Sequence, residues 1–193
     1  MTLSLNQLSQ WQKITFCSAL LERMLPNYQL FSETTEFGDI KVIRNQLDLL
    51  WQWLDKNNRC KINYGAQLVK LESQIPDPEE FDFFGVFPAL DLCMALMSLL
   101  QSIQDKDEEG FENTARLSIN SVSHYVELVL AQDNPDIEIT NDMINEHPLM
   151  IWELATQQEL YNFISSSPEN KQTCIKAKAL VLEEGMSNLG IEI

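Results

Sequence analysis

Glycine is scarce in this chain, with six among 193 residues. Long stretches carry neither glycine nor proline, and turn-rich β architectures need both, so the scarcity argues for helices. Histidine is scarcer still, with two residues, His124 and His147. The four cysteines, Cys17, Cys60, Cys93 and Cys174, stand far apart and form no CxxC pair. That spacing speaks against a compact thiolate metal site and for reduced, buried thiols. The sequence contains no GxSxG elbow, no GxGxxG and no GxxxxGK[ST], so the common signatures of nucleophilic and nucleotide chemistry are missing. The opening MTLSLNQLSQWQK lacks a basic n-region and is not expected to be a signal peptide.

Basic residues are missing from the middle of the chain. Residues 1–70 hold eight Lys/Arg against six Asp/Glu, residues 71–170 hold two against twenty, and residues 171–193 hold three of each. The net charges are therefore +2, −18 and 0, and the overall −16 belongs to the central hundred residues. Such a field repels phosphate backbones and anionic lipid, so no direct nucleic-acid or membrane contact is expected. It suits a basic protein partner or a copy of the chain itself, and equally a solvated surface that keeps a cytoplasmic protein dissolved.

What is present is helical pattern. The length suits one domain spanning residues 1–193, and the reading is an all-α bundle of about eight or nine helices around a central apolar helix near residues 88–101. Ser4 with Gln7 forms a capping box for a first helix that should stop near Pro26. Asn27 is then expected to cap a second. A third is the clearest, with Ile40, Ile43, Leu47, Leu50, Trp51 and Leu54 on one face and Lys41, Arg44, Asp48, Gln52 and Asp55 on the other. Asn63 opens a short helix to Leu71, and Asp77, Pro78 and Glu80 mark a brief helical turn. Further helices are expected from about Phe111 to Ala131 and from Pro148 to Ile164, and Ser167, Pro168 and Asn170 begin the last. QDNPDIEITND reads as loop, and the terminal SNLGIEI as a short extended piece along the surface.

Phe83 to Leu100, FFGVFPALDLCMALMSLL, carries a single formal charge, Asp91. Its length is borderline for a membrane span. However, Asp91 sits near its middle, Pro88 near its start, and both flanks are acidic, so a span is rejected. With Pro88 as first helical residue, Asp91 lies in the first turn, where the helix dipole favours a carboxylate. Asp91, Ala95, Ser98 and Ser102 form a narrow stripe of small or polar residues that lets a neighbouring helix come close. A buried carboxylate needs a partner, and Arg23 and Arg44 are the candidates.

Three stretches, LLERMLPNYQLFSETTEFGD, DFFGVFPALDLCMAL and SNLGI, resemble in the same order the YjaG-like bacterial proteins, a domain-of-unknown-function family. The resemblance spans nearly the whole chain. It implies an all-helical, soluble, cytoplasmic bacterial protein, and it implies no activity.

For chemistry the sequence offers two settings. Arg23, Asn27, Tyr28, Asp82 and Asp91 could surround a polar small-molecule pocket. His124 and Glu127, one helical turn apart, could present two ligands to one metal. Di-iron helical proteins use Glu-x-x-His twice, whereas here the order is reversed and unrepeated. No cofactor is therefore expected. Phe81, Phe83, Phe84 and Phe87 crowd one short segment and read as core, or as a partner surface if they face solvent. The reading favoured is a binding module with an acidic surface over residues 71–170. The alternative is a small-molecule- or metal-dependent enzyme built around Asp91.

Overall fold

In the computed structural model of the chain, residues 3–57 and 60–193 are described, and they form eight α-helices, one 3-10 turn and no β-strand. Helix α1 spans Gln10–Thr35, α2 Ile40–Leu54, α3 Tyr64–Glu72, α4 Val86–Asp105, α5 Glu109–Asp133, α6 Asn141–Glu146, α7 Pro148–Ser165 and α8 Lys171–Val181. The expected architecture is the observed one.

Helix α1 is the most enclosed element, with every residue from Lys13 to Met24 buried. Its capping box is Ser9 with Gln12: the Gln12 N–H donates to Ser9 Oγ at 3.2 Å and the Ser9 N–H to Gln12 Oε1 at 3.0 Å. This overturns the box at Ser4 and Gln7, one pattern match earlier. The break at Pro26 is also overturned, because Pro26 lies inside α1. Interior proline costs a helix about 3 kcal/mol. Here burial beyond it offsets that cost: Asn27, Tyr28 and Phe31 are all buried, and Tyr28 Oη donates to the Gln74 carbonyl at 2.9 Å. Asn27 is thus an interior helical residue and caps nothing. The helix stops instead at Glu36, left-handed at φ 59°, before Gly38 at φ 71°.

Helix α2 starts on Asp39, whose side chain accepts from the Lys41 N–H at 2.9 Å, and buries Ile43, Leu47, Leu50 and Leu54 as its pattern requires. Asn63 caps α3, and Asp77 caps the 3-10 turn Pro78–Glu80. His147 caps α7, its Nδ1 accepting from the Leu149 N–H at 3.2 Å. The short α6, capped by Thr140, overlaps the stretch read as loop only in Asn141 and Asp142 and carries on to Glu146.

Helices α4 and α5 pack antiparallel, and the small stripe of α4 is their seam. Ser121 donates to Asp91, Thr114 donates to the Ala95 carbonyl at 3.1 Å, and Asn113 donates to Ser98 Oγ at 2.7 Å. Gly110 closes the series: a Cβ there would lie 2.1 Å from Ser102 Oγ and 2.5 Å from the Ser98 carbonyl oxygen, so only glycine fits this approach. Helix α4 begins at Val86 rather than Pro88, which moves Asp91 out of the first turn. By length and composition α4 could cross a membrane, but it packs against α1, α3 and α5 within the bundle.

The C-terminal piece is not merely a surface strand. Its ends pair, with Met186 opposite Glu192, while Ser187 and Asn188 are fully buried. Asn188 reaches the centre, its N–H donating to the Arg23 carbonyl at 3.3 Å and its Nδ2 to the Ser118 carbonyl at 3.1 Å. Leu189 joins Val122, Val126, Ile144 and Met150 in a second, smaller apolar cluster.

Candidate functional site

The outer face of α4 is where the fold departs from a simple core. Phe87, Asp91 and Met94 follow one another at helical spacing and remain at least partly exposed, although they lie in the most apolar run of the chain. Phe87 is 45% exposed and Phe83 just before the helix 40%, high values for phenylalanine. Beside them α5 presents His124 and Glu127, both exposed. Phe84, Phe87, His124, Glu127, Leu128 and Ala131 line a shallow hollow of about 460 Å³.

Phe84 also forms part of the wall of a second hollow, of about 360 Å³, bounded by α1, the C-terminal piece and the Phe83–Pro88 segment. Aromatic rings connect the two. Phe84 lies 5.7 Å from Tyr125 and 6.1 Å from Phe87, while Phe83 stacks on Phe31 at 5.9 Å. The result is one apolar strip, from Leu30 across the phenylalanines to Leu128, that solvent reaches.

Asp91 lies one helical turn from Phe87, outside the lining of both hollows, whereas Glu127 is an acidic side chain within the first. Among the described residues the Asp91 carboxylate accepts one hydrogen bond, from Ser121 Oγ at 2.7 Å. Burial pushes its carboxyl up from the ordinary carboxylate range, and the Ser121 hydroxyl and nearby His124 only partly oppose the shift. The sign follows from proton linkage. The folded state holds the Asp91 proton to higher pH than the unfolded chain, so stability falls as pH rises from the ordinary carboxylate range through the raised value. Asp91→Asn keeps an acceptor for Ser121 and removes the charge. Its melting temperature should exceed that of the parent at neutral pH, and the gap should close as pH falls below the ordinary carboxylate range. A thermal-melt series over pH checks this, and a parent equal to or above the variant at neutral pH contradicts it.

Arg23 and Arg44 are not the partners of Asp91. Arg23 is fully buried, pairs through Nη1 with Glu153, and stacks on Trp152 with its guanidinium carbon 4.0 Å from the ring centre. Glu153 also accepts from Ser118 Oγ and Gln157 Nε2, each at 2.7 Å. Arg44 grips Glu22 through both terminal nitrogens, at 2.6 and 2.5 Å, with Trp51 Nε1 at 2.7 Å and Lys178 at 3.0 Å as further donors to the same carboxylate. Burial opposes the ionisation of Glu22, but Arg44 and Lys178 outweigh it and hold the carboxyl below the ordinary range.

The remaining candidates divide. Tyr28 is committed to Gln74, and burial pushes its phenol up. Asp82 is exposed beside the phenylalanines. Asn27 lines the second hollow. His124 and Glu127 flank the first, and among the described residues no group of three or more His, Cys, Asp or Glu is placed to hold a metal. The four cysteines are free, and burial raises the thiols of Cys17, to about 12, and Cys174, to about 11. These thiols are too protonated to act as nucleophiles near neutral pH. Sequence reasoning named the phenylalanines but missed Met94 and Leu30. Helical spacing from Phe87 through Asp91 would have found Met94.

A third hollow, of about 350 Å³ between α2 and α8, includes Asp48, Trp51, Asp55, Lys171 and Lys178. Its charges are matched within the fold: Lys171 with Asp55 at 3.2 Å, Lys178 with Glu22 at 3.0 Å, and Asp48 with Arg44 at 2.9 Å. It holds less unspent interaction than the strip around Asp91.

The sequence profile of the family described as Protein of unknown function (DUF416) matches residues 1–192. The chain is 35% identical over 190 residues to the uncharacterized protein YjaG of Escherichia coli (strain K12), covering 98% of this chain and 94% of that one. An uncharacterized protein of Haemophilus influenzae is also 35% identical over 190 residues, covering 97% and 94%. The crystal structure of a DUF416 family protein from Shewanella baltica OS155, at 1.91 Å resolution, superposes with a TM-score of 0.88 at 35% identity, covering both chains completely.

Proposed function

From a chain that belongs to the DUF416 family, whose description assigns no reaction, we propose a cytoplasmic protein-interaction module that receives a basic, apolar-anchored segment of another protein on the α4–α5 strip. Asp91 carries this reading. A partly buried carboxylate with a single hydroxyl partner weakens the fold, and placed between exposed Phe87 and Met94 it is suited to a partner's cation. Exposed aromatic and methionine side chains supply adaptable contact area around it. The surrounding field supports the same partner, because residues 71–170 carry −18.

Salt separates this reading from plain hydrophobic adhesion. A fluorescent peptide of lysines and arginines around one aromatic residue should bind at low ionic strength. The affinity should drop steeply as the screening length shrinks from about 10 Å at 0.1 M salt to about 3 Å at 1 M. Asp91→Asn should weaken binding while raising stability. Absence of binding at low salt, or affinity indifferent to salt, overturns the proposal.

A further inference from the structure

The hollow between α2 and α8 has its charges sorted by wall. Asp48 and Asp55 line it from α2 and its C-cap, and Lys171 and Lys178 from α8, each pair seven residues apart. The Lys171–Asp55 contact joins the end of α2 to the start of α8, so the two helices run antiparallel. Asp48 and Lys178 therefore share the other end, about 10 Å away at 1.5 Å per residue. Trp51, Cys174 and Ile175 lie between the two ends.

The two ends are not equivalent. Lys171 and Asp55 pair with each other at 3.2 Å, whereas Lys178 and Asp48 turn elsewhere. Lys178 reaches Glu22 Oε1 at 3.0 Å, which occupies one of its three N–H donors. Arg44 holds Asp48 by Oδ1 at 2.9 Å, and Asp48 Oδ2 has no donor among the described residues. Both side chains are open to solvent, Asp48 60% and Lys178 39% exposed, so their unused groups can be reached. A ligand of one sign would be drawn to one wall and repelled by the other, while a zwitterion suits both. At about 350 Å³ the hollow falls within the size range of small-ligand sites.

We infer that this hollow binds a free α-amino acid with an apolar side chain, its ammonium on Asp48, its carboxylate on Lys178 and its side chain along Trp51 and Ile175. An α-amino acid carries both charges on one carbon, as the single polar end requires, and extends an apolar group from the same carbon. The Trp51 ring is held in place for that contact, because its Nε1 donates to Glu22 Oε1 at 2.7 Å. Helix α8 packs on α1, α2 and α7 and on neither α4 nor α5, so this site stands apart from the docking face and does not depend on it.

The test titrates the unmodified full-length protein with three probes, L-phenylalanine, 3-phenylpropanoate and 2-phenylethylamine. The second lacks the ammonium and the third lacks the carboxylate. Phenylalanine should shift the Trp51 indole N–H and the Ile175 methyl resonances saturably, and each analogue should bind about tenfold or more weakly, the order expected for one lost charged hydrogen bond. Asp48→Asn removes only an exposed contact with Arg44, so the fold should tolerate it. That variant should weaken phenylalanine about tenfold and leave 3-phenylpropanoate unchanged. No saturable shift at about 10 mM phenylalanine overturns the inference. Equal affinity for all three probes, or undiminished phenylalanine binding by Asp48→Asn, overturns it as well.

Discussion

Arg23→Met should destabilise the fold by about 3–5 kcal/mol, the usual consequence of leaving one charge of a buried ion pair without the other. For a chain of this size that lowers the melting temperature on the order of 10 °C. The partner left behind is Glu153, which is also fully buried and would keep only Ser118 and Gln157 as donors. Glu153→Met should cost a similar amount, because the guanidinium already has Nε and Nη2 unpartnered among the described residues and would then lose Nη1 as well. Burial already lowers the pKa of Arg23, with Glu153 opposing the shift. The double replacement Arg23→Met/Glu153→Met should lose much less than the sum of the two. Such non-additivity marks a pair whose worth lies in mutual compensation. Denaturant unfolding of the four proteins measures it. Single losses below about 1 kcal/mol, or additive losses, would show that the pair is not what closes the centre of the bundle.

Phe87→Ala should weaken binding of a basic aromatic peptide by about 30-fold or more, equivalent to about 2 kcal/mol, the level that defines a hot spot. The same substitution should change stability by no more than about 0.5 kcal/mol, because the side chain is 45% exposed. This combination separates the proposed face from a diffuse acidic surface. If charge alone held the partner, removing a neutral ring would leave affinity where it was. Fluorescence anisotropy for affinity and thermal melts for stability, on the same preparations, give the two numbers. Unchanged affinity would remove Phe87 from the interface.

Helical content and most caps were legible because they depend on neighbours in sequence. Asn63 and Asp77 cap the elements they were expected to open, and the last helix starts on Asn170, within the stretch expected to begin it. The small stripe of α4 was legible for the same reason, and its seam with α5 follows from it. Where a local signal had a competitor, local reading failed. Ser4 with Gln7 and Ser9 with Gln12 fit the same capping pattern, and only packing selects the second. Pro26 is a strong stop signal, overridden by Tyr28 and Phe31 finding a buried site that lies beyond the α1 sequence itself.

The candidate site was half legible. Asp91 stood out as one charge in an apolar run, and the four phenylalanines as a cluster. Its hydrogen-bond partner did not, because Ser121 lies 30 residues away and serines carry no distinguishing mark. Arg23 looked like the natural counterion, but it is taken by Glu153, 130 residues distant. Asn188 lies in a short tail whose composition suggests surface, yet its amide reaches both Asn27 and Ser118. The apolarity that marked α4 as central also concealed that Phe87 and Met94 stay exposed.

The most direct measurement is an amide chemical-shift map of the full-length protein titrated at low salt with a lysine- and arginine-rich peptide containing one tryptophan. The expected result is a set of shifts confined to residues 83–94, 121–131 and 189–191, lost on adding salt. Shifts clustered instead on the α2–α8 hollow around Trp51 and Lys178, or no shifts at all, would contradict the assignment of the α4–α5 strip as the binding face.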